Sequence, residues 1–248
     1  MFFVIMTAYN EERPLTRLLP SLPDTVNGHE LRTILVDDGS TDHTADVAES
    51  HGCTVIRLAK NGGKGAALRT GLQAIRHKVY DGIVLMDSDG QHDPNCLEAL
   101  TAPISDGSAD MVVGSRYLTN GGRGATPWNR YLVRTATVKS LQRFAGIAVT
   151  DPYCGYRAFS PKAVGCISLY GDRYESELEM AFCVAKANKC LVEVPIPRIY
   201  GPQTSKMAAR HGAFLGRVAV VSGYARTIIR EVRKLETQRA PDFATMAQ

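Results

Sequence analysis

The sequence contains no uninterrupted apolar run of the roughly 18 residues that a membrane span requires. It also lacks low-complexity tracts and internal repeats, which sets aside disordered linkers and solenoids. Six cysteines are present (Cys53, Cys96, Cys154, Cys166, Cys183 and Cys190), but none has paired metal-type spacing. They fit buried free thiols in a reducing compartment. The opening run Phe2 to Met6 is too short for a signal sequence and has no basic stretch before it, so it reads as a first β-strand. No G-x-G-x-x-G follows that strand; Tyr9-Asn10-Glu11-Glu12 stands there instead, which disfavours a dinucleotide-binding enzyme. A Walker A loop is absent as well.

What is present is the usage of an ordinary globular domain. The 248 residues are 44% apolar and 22% charged, enough to bury a substantial core. The net charge of +4 is unevenly distributed. From Lys206 onward eight Lys/Arg face three Asp/Glu, which leaves the rest of the chain near −1. A basic tail on a nearly neutral body argues against a nucleic-acid groove. It suits either a local anionic partner, such as phosphate or a lipid headgroup, or a solvated helix face.

Short apolar runs recur at Phe2 to Met6, Leu31 to Val36, Thr54 to Leu58, Gly82 to Met86 and Met111 to Val113. Helical periodicity separates some of them, as in Glu12 to Leu22 and Gly65 to Arg76. This alternation predicts βαβ units, a mostly parallel sheet and a ligand rim beyond the strands' carboxyl ends. The residues expected on that rim are polar: Tyr9-Asn10-Glu11, Asp37-Asp38-Gly39-Ser40, Asn61-Gly62-Gly63-Lys64-Gly65 and Asp87-Ser88-Asp89-Gly90-Gln91. From about Gly114 the pattern loosens into a glycine-rich loop, Thr119 to Thr126. A helix is predicted over Trp128 to Phe144, with Arg130 and Arg134 on one face, and this part is expected to complete an acceptor site.

Asp87, Asp89 and Gln91 alternate along an extended chain, so all three can offer oxygen ligands to one hard divalent cation. Paired aspartates are equally common as turn formers, and Asp93-Pro94 marks a helix start. Asp37 and Asp38 can accept hydrogen bonds from a nucleobase and ribose, or can form a turn and helix cap. The glycines around Lys64 let backbone N–H groups approach an anion at a helix N-terminus. The second half supplies cations suited to phosphate: Arg116, Arg130, Arg134, Arg157, Arg198 and Lys206. Arg116, Arg130 and Lys206 are the strongest candidates among them. Glu177 and Glu179 lie two apart on a predicted helix and cannot both enter one site; either one touches the acceptor or, as the default, both are solvated.

The segments VIMTAYNEE, VDDGSTD, NGGKGAALRTG, MDSDGQHDP, GSRY, DPYCGYRAFS, ESELEMAF and EVPIPRIYGPQTSKM, in unbroken order from Phe2 to Met207, resemble family 2 glycosyltransferases. The likeness is to the branch of dolichol-phosphate mannose and glucose synthases. It implies a GT-A fold, an α/β architecture with a nucleotide-binding, Rossmann-like mixed sheet flanked by helices. It also implies a donor site formed by Tyr9, Asn10, Glu11, Asp37, Asp38, Lys64, Asp87 and Ser88. Mg2+ or Mn2+ is implied at Asp87, Asp89 and Gln91. Asp89, Arg116, Arg130 and Lys206 are the implied catalytic set, and Arg134, Arg157, Arg198 and Ser205 are further candidates for an acceptor phosphate. The implied reaction is inverting transfer of a hexose from a GDP-mannose or UDP-glucose type of donor to a polyprenyl phosphate. Thr7, where the family usually has proline, and Cys154, where Ser or Gly is usual, depart from the pattern.

The division expected is a catalytic domain over 1–207 and a C-terminal amphipathic helix with a polar tail over 208–248. Phe214, Val218, Val221, Ala225, Ile228, Val232 and Leu235 form an apolar stripe, with Arg226, Arg230, Arg233 and Lys234 on the other side. Such a helix can rest on an anionic membrane surface, on the domain core or on another subunit. A cytoplasmic protein is expected, peripheral at the membrane face if the stripe binds lipid. Two alternatives stay open, namely transfer to a soluble acceptor and non-catalytic binding of a nucleotide sugar.

Overall fold

The structure is a computed structural model and describes residues 1–118, 128–172, 175–199 and 215–239; for 128–130, 215–221 and 235–239 it describes the backbone alone. Four parallel strands form the nucleotide half: β1 (Phe2–Ala8), β3 (His29–Asp37), β4 (Thr54–Arg57) and β5 (Gly82–Asp87). A two-residue strand, β2 (Thr25–Val26), pairs antiparallel with the start of β3. Beyond β5 the sheet continues through β7 (Arg157–Phe159), β6 (Met111–Ser115) and β8 (Leu191–Pro195), in the order β2-β3-β1-β5-β7-β6-β8. The strand β7 runs antiparallel between β5 and β6, which makes the sheet mixed. Five of these strands fall where the apolar runs predict them; β2, β7 and β8 do not correspond to any predicted run.

The central strands read as continuous apolar runs because both of their faces are covered. Phe2 to Met6 and Ile83 to Met86 are all buried. Each fully enclosed side chain of this size contributes roughly 1.5–3 kcal/mol. Helices α1 (Glu12–Leu18), α2 (Thr44–Ser50), α3 (Lys64–Ala74), α4 (Leu97–Ser105) and α5 (Trp128–Ser140) follow in chain order, and a π-helical turn, Leu141–Ala145, extends α5. Close approach seats α3: a Cβ on Gly71 would lie 2.5 Å from Ile5 Cγ2 on β1. At the other end of α3, Lys64 reaches Asp87 at the end of β5.

Among the described residues the last three helices are α6 (Pro161–Val164), α7 (Ser176–Lys186) and α8 (Leu215–Arg239). α8 packs against α7, with Tyr224, Ile228 and Val232 against the core and the Tyr224 ring stacked on Tyr153 at 4.4 Å. Ile228 and Val232 of the expected stripe face the core, whereas the side chains of Phe214, Val218, Val221 and Leu235 lie outside the described residues. Ala225 is exposed, whereas Thr227 and Glu231 are buried. The polar Glu231 turns inward because Lys186 on α7 meets it at 2.6 Å and Arg230 and Lys234 flank it at 2.8 and 3.0 Å. No helix among the described residues is long and apolar enough to cross a membrane.

Candidate active site

Because β1, β3 and β5 are parallel and in register, Ala8 lies beside Asp37 and Thr7 beside Asp87. Loops leaving the three strands therefore meet on one rim. Asn10 takes a left-handed backbone (φ 54), a conformation Asn tolerates, and its Oδ1 accepts from the Thr41 amide at 2.8 Å. Its own N–H donates to Ser40 Oγ, and that of Glu11 donates to Thr44 Oγ1. Tyr9 is half-buried beside them. Asp37 accepts from the Ser40 amide at 2.9 Å, which forms the turn. Asp38 reaches the glycine loop and accepts from Gly62 N at 2.7 Å and Gly63 N at 2.9 Å. The buried Asp38 thus orients the backbone that leads into α3.

Lys64, the first residue of α3, donates to Asp87 Oδ1 at 2.6 Å and to Glu177 Oε1 at 2.8 Å. Burial acts to lower the Lys64 pKa, but the two carboxylates outweigh it and the group remains a cation. Burial likewise acts to raise Asp87, and the charge and hydrogen bond of Lys64 overcome it, holding Asp87 at about 2. Asp87's own amide donates to His92 Nδ1 at 2.9 Å. The His92 ring stacks on Tyr156 at 4.7 Å and is pushed down to about 4 by burial, so the imidazole is neutral.

Asp89 is in the opposite condition. Burial, and after it the neighbouring Asp87, push it up to about 6, while its Oδ1 accepts from the Gln91 amide at 3.0 Å. Ser88 turns the other way and donates to Thr7 O at 2.8 Å, pinning the loop to β1. Among the described residues no group of three or more His, Cys, Asp or Glu is placed to hold a metal. A cation at this rim would therefore draw on two carboxylates, the Gln91 amide and substrate oxygens, which is how Mg2+ is usually held.

At the end of β6, Arg116 grips the buried Asp151 as a fork, with Nε to Oδ2 at 2.7 Å and Nη2 to Oδ1 at 3.0 Å. Asp151 is fixed in turn by Glu193 on β8, which accepts from the amides of Thr150 and Asp151 at 2.7 and 3.0 Å. Arg134 on α5 donates to Thr150 O, and its guanidinium lies 4.1 Å from the Tyr117 ring centroid. Arg198 lies over the same ring at 4.8 Å. Arg134 Nε is buried without a hydrogen-bond partner among the described residues. Three guanidinium groups thus gather around Tyr117 and the Thr150–Asp151 turn, an arrangement suited to an anion.

A family model, Glycosyl transferase family 2, matches residues 3–167, well over half of the chain. The protein is a family 2 glycosyltransferase. An undecaprenyl-phosphate mannosyltransferase of Micrococcus luteus is 32% identical over 200 residues, covering 77% of this chain and 81% of that protein. A UDP-N-acetylglucosamine–dolichyl-phosphate N-acetylglucosaminyltransferase of Methanococcus voltae is 31% identical over 220 residues, with 81% and 86% covered. In three dimensions the glycosyltransferase is similar to glucosyl-3-phosphoglycerate synthase from Mycobacterium tuberculosis in complex with Mn2+, UDP and phosphoglyceric acid. That likeness has a TM-score of 0.69 at 21% identity and covers 94% of this chain and 78% of the other. At that identity it speaks for the fold alone, and the fold is GT-A.

The glycosyltransferase departs from the sequence reading at several residues. Arg157, expected at an acceptor phosphate, is 1% exposed and donates to the carbonyls of Cys154, Pro152 and Glu177. Its guanidinium is a buried structural brace that ties the Pro152–Cys154 turn to Glu177 on α7. Glu177 and Glu179 do diverge, but neither is solvated. Glu177 holds Lys64, while Glu179 accepts from the amides of Tyr170 and Gly171 and from Arg230. Lys206 and Ser205 lie outside the described residues, as does the side chain of Arg130, whose backbone is in α5. The sequence reading missed the site roles of Glu177, His92, Asp151 and Glu193. His92 and Asp151 stand inside quoted motifs, but nothing in their local spacing marks which strand end they serve.

Proposed function

We propose that this glycosyltransferase moves one hexose from a nucleotide-sugar donor to a polyprenyl phosphate, with inversion at the sugar's anomeric carbon. The observation that carries the reading is the pairing, on one rim, of an acidic strand end at Asp87 and Asp89 with the guanidinium group of Arg116, Arg134 and Arg198. The first suits a cation-bound diphosphate, the second a phosphate acceptor. The names of the relatives above support the choice of a lipid-linked acceptor.

Tyr9, Asn10, Glu11, Asp37 and Asp38 would receive the nucleoside, and the Gly62–Lys64 segment the diphosphate. Asp87, Asp89 and Gln91 offer hard oxygen ligands for Mg2+ or Mn2+, and the raised Asp89 carboxyl is the mark of a carboxylate suited to an added cation. When bound, the cation neutralises charge on the departing nucleoside diphosphate. A phosphate monoester has a second pKa of about 6, so the acceptor arrives ionised and needs no strong general base. Its oxygen forms the new bond to C1 as the bond from C1 to the diphosphate oxygen breaks. The enzyme's share is alignment: Asp151 fixes the plane of Arg116, Thr150 and Tyr117 fix Arg134, and Arg130 and Lys206 complete the proposed cationic set. Ser205 belongs to the same proposed acceptor region.

The test is incubation of the purified chain with Mg2+, a short polyprenyl phosphate and a panel of labelled UDP- and GDP-sugars, with Asp89→Ala as control. Label entering the organic phase, dependent on metal and lost in the variant, is expected and names the donor. Donor turnover with label only in water-soluble product would replace the lipid acceptor with a soluble one. Donor binding without turnover would reduce the protein to a nucleotide-sugar binder.

A further inference from the structure

We infer that Glu179 is a positioning residue for the donor and that, through it, the seating of α8 sets the first turn of α3. Glu179 is 2% exposed on α7, and its carboxylate is held from two sides. The amides of Tyr170 and Gly171 donate to it at 3.0 and 3.1 Å, and Arg230 on α8 donates to Oε1 at 2.5 Å. α8 closes on the same corner at Gly223, where a Cβ would lie 2.5 Å from Glu175 Oε1. Glu175 in turn lies against Gly171, where a Cβ would sit 2.9 Å from Glu175 Cβ. A carboxylate buried this deeply holds its donors firmly, because losing one leaves charge without compensation.

The segment fixed in this way is the one on which α3 leans. The first amides of a helix have no acceptor inside it, and that of Gly65 donates to Asp172 O at 2.9 Å. One turn later Arg69 donates to Gly171 O at 2.8 Å and meets the Asp172 carboxylate. The two backbones touch without a side chain between them, since a Cβ on Gly65 would run into Gly171 O. Next to Gly65 is Lys64, bound to Asp87 and Glu177, and before that Gly63, whose amide Asp38 holds. A shift of Gly171 therefore passes from backbone to backbone into the residues proposed to meet the donor diphosphate. The acceptor end is organised by other groups, Asp151, Thr150 and Tyr117. Loss of Glu179 should accordingly weaken the donor and spare the acceptor. The inference rests on the donor role proposed for Gly62–Lys64, but one arm of its test needs no nucleotide.

Calorimetry on the full chain with Mg2+ and UDP or GDP reads the donor side, and the KM for a short polyprenyl phosphate reads the acceptor side. Glu179→Gln is expected to weaken nucleotide binding about tenfold, as residues coupled to a ligand they do not touch commonly do, and to change the acceptor KM less than about twofold. Arg230→Met should weaken nucleotide binding about threefold, and Arg230→Lys, which keeps the charge, should restore it. Gly65→Ala presses on Gly171 directly and should reproduce the donor defect, which keeps the inference open to refutation if Glu179→Gln does not fold. Hydrogen exchange at the Gly65 amide, read without nucleotide, should quicken about tenfold in Glu179→Gln and about threefold in Arg230→Met. Unchanged nucleotide affinity in folded Glu179→Gln and Gly65→Ala would overturn the inference, as would donor and acceptor constants that worsen together. Quickened exchange in variants of a chain that binds neither nucleotide would count against the donor reading alone and keep the link from α8 to α3.

Discussion

Lys64 and Asp87 form a half-buried ion pair at 2.6 Å that joins the start of α3 to the end of β5, and the buried Glu177 closes it from α7 at 2.8 Å. One cation thus serves two carboxylates brought from different parts of the chain. Removing one partner of such a group leaves the others charged and poorly solvated, which costs about 3–5 kcal/mol. Lys64→Met is expected to lower stability by that order and sugar transfer by at least ~10²-fold, since a fixed charge at the diphosphate is lost as well. Urea denaturation and initial rates measure the two effects. A variant as stable as wild type would show that the pair is incidental to the fold.

Gly155 separates structure from catalysis more cleanly. A Cβ there would lie 2.8 Å from Asp87 Oδ2 and 2.9 Å from Lys64 Nζ. Both are ends of side chains that can yield, so Gly155→Ala should cost only about 1–3 kcal/mol. The yielding displaces the groups proposed to face the diphosphate, and a misplacement of that size can cost ~10²-fold in rate. The expected result is a folded variant with a nearly normal denaturation curve and a severe loss of turnover. Normal turnover would mean that the exact position of Asp87 is unimportant.

The legible parts of the fold were those encoded locally. Five strands and the polar residues at their ends follow from apolar runs of a few residues, and β1, β3, β4, β5 and β6 stand where those runs lie. β7 was hidden because three residues, Arg157–Phe159, are too few to show a period, and its first side chain is an arginine. The acidic strand ends were visible; their partners were not. Glu177, Asp151 and Glu193 act across long separations in the chain, and burial converts each from a residue that looks solvated into one that fixes a cation or a backbone turn. On α8 the apolar spacing places Ile228 and Val232 against the core, and what it does not show is the buried Glu231, whose ion pair with Lys186 on α7 turns a charged residue inward.

Arg157 tests that distinction. A phosphate-binding arginine is dispensable for folding, but this one is fully buried and donates to three backbone carbonyls, those of Pro152 and Cys154 before β7 and of Glu177 on α7. Arg157→Leu removes these buried donors, at about 1–3 kcal/mol for each acceptor left unpaired. A loss of about 3–5 kcal/mol in folding stability is expected, in the range reserved for broken buried networks. Arg157→Lys should rescue little, since an ammonium lacks the planar spread of donors. A variant that keeps its stability and loses only acceptor binding would return Arg157 to the site.

The seating of α8 should carry an acid signature. Burial acts to raise the Glu231 pKa, but hydrogen bonds from Lys186, Arg230 and Lys234 more than offset it and hold the carboxyl at about 2, against 4.5 for the free group. A folded-state value below the unfolded one means that the unfolded chain binds the proton first as pH falls. The contribution of Glu231 is therefore complete above about pH 5, declines through the interval between 4.5 and about 2, and is gone below it. The change in that interval belongs to the carboxylate. Glu231→Gln should remove the effect by leaving an amide that never ionises. Urea midpoints of wild type and variant, measured from neutral pH downward, are expected to differ by a constant amount above pH 5 and to converge toward pH 2. A difference that stays constant to pH 2 would mean that α8 is held by Tyr224, Ile228 and Val232 alone.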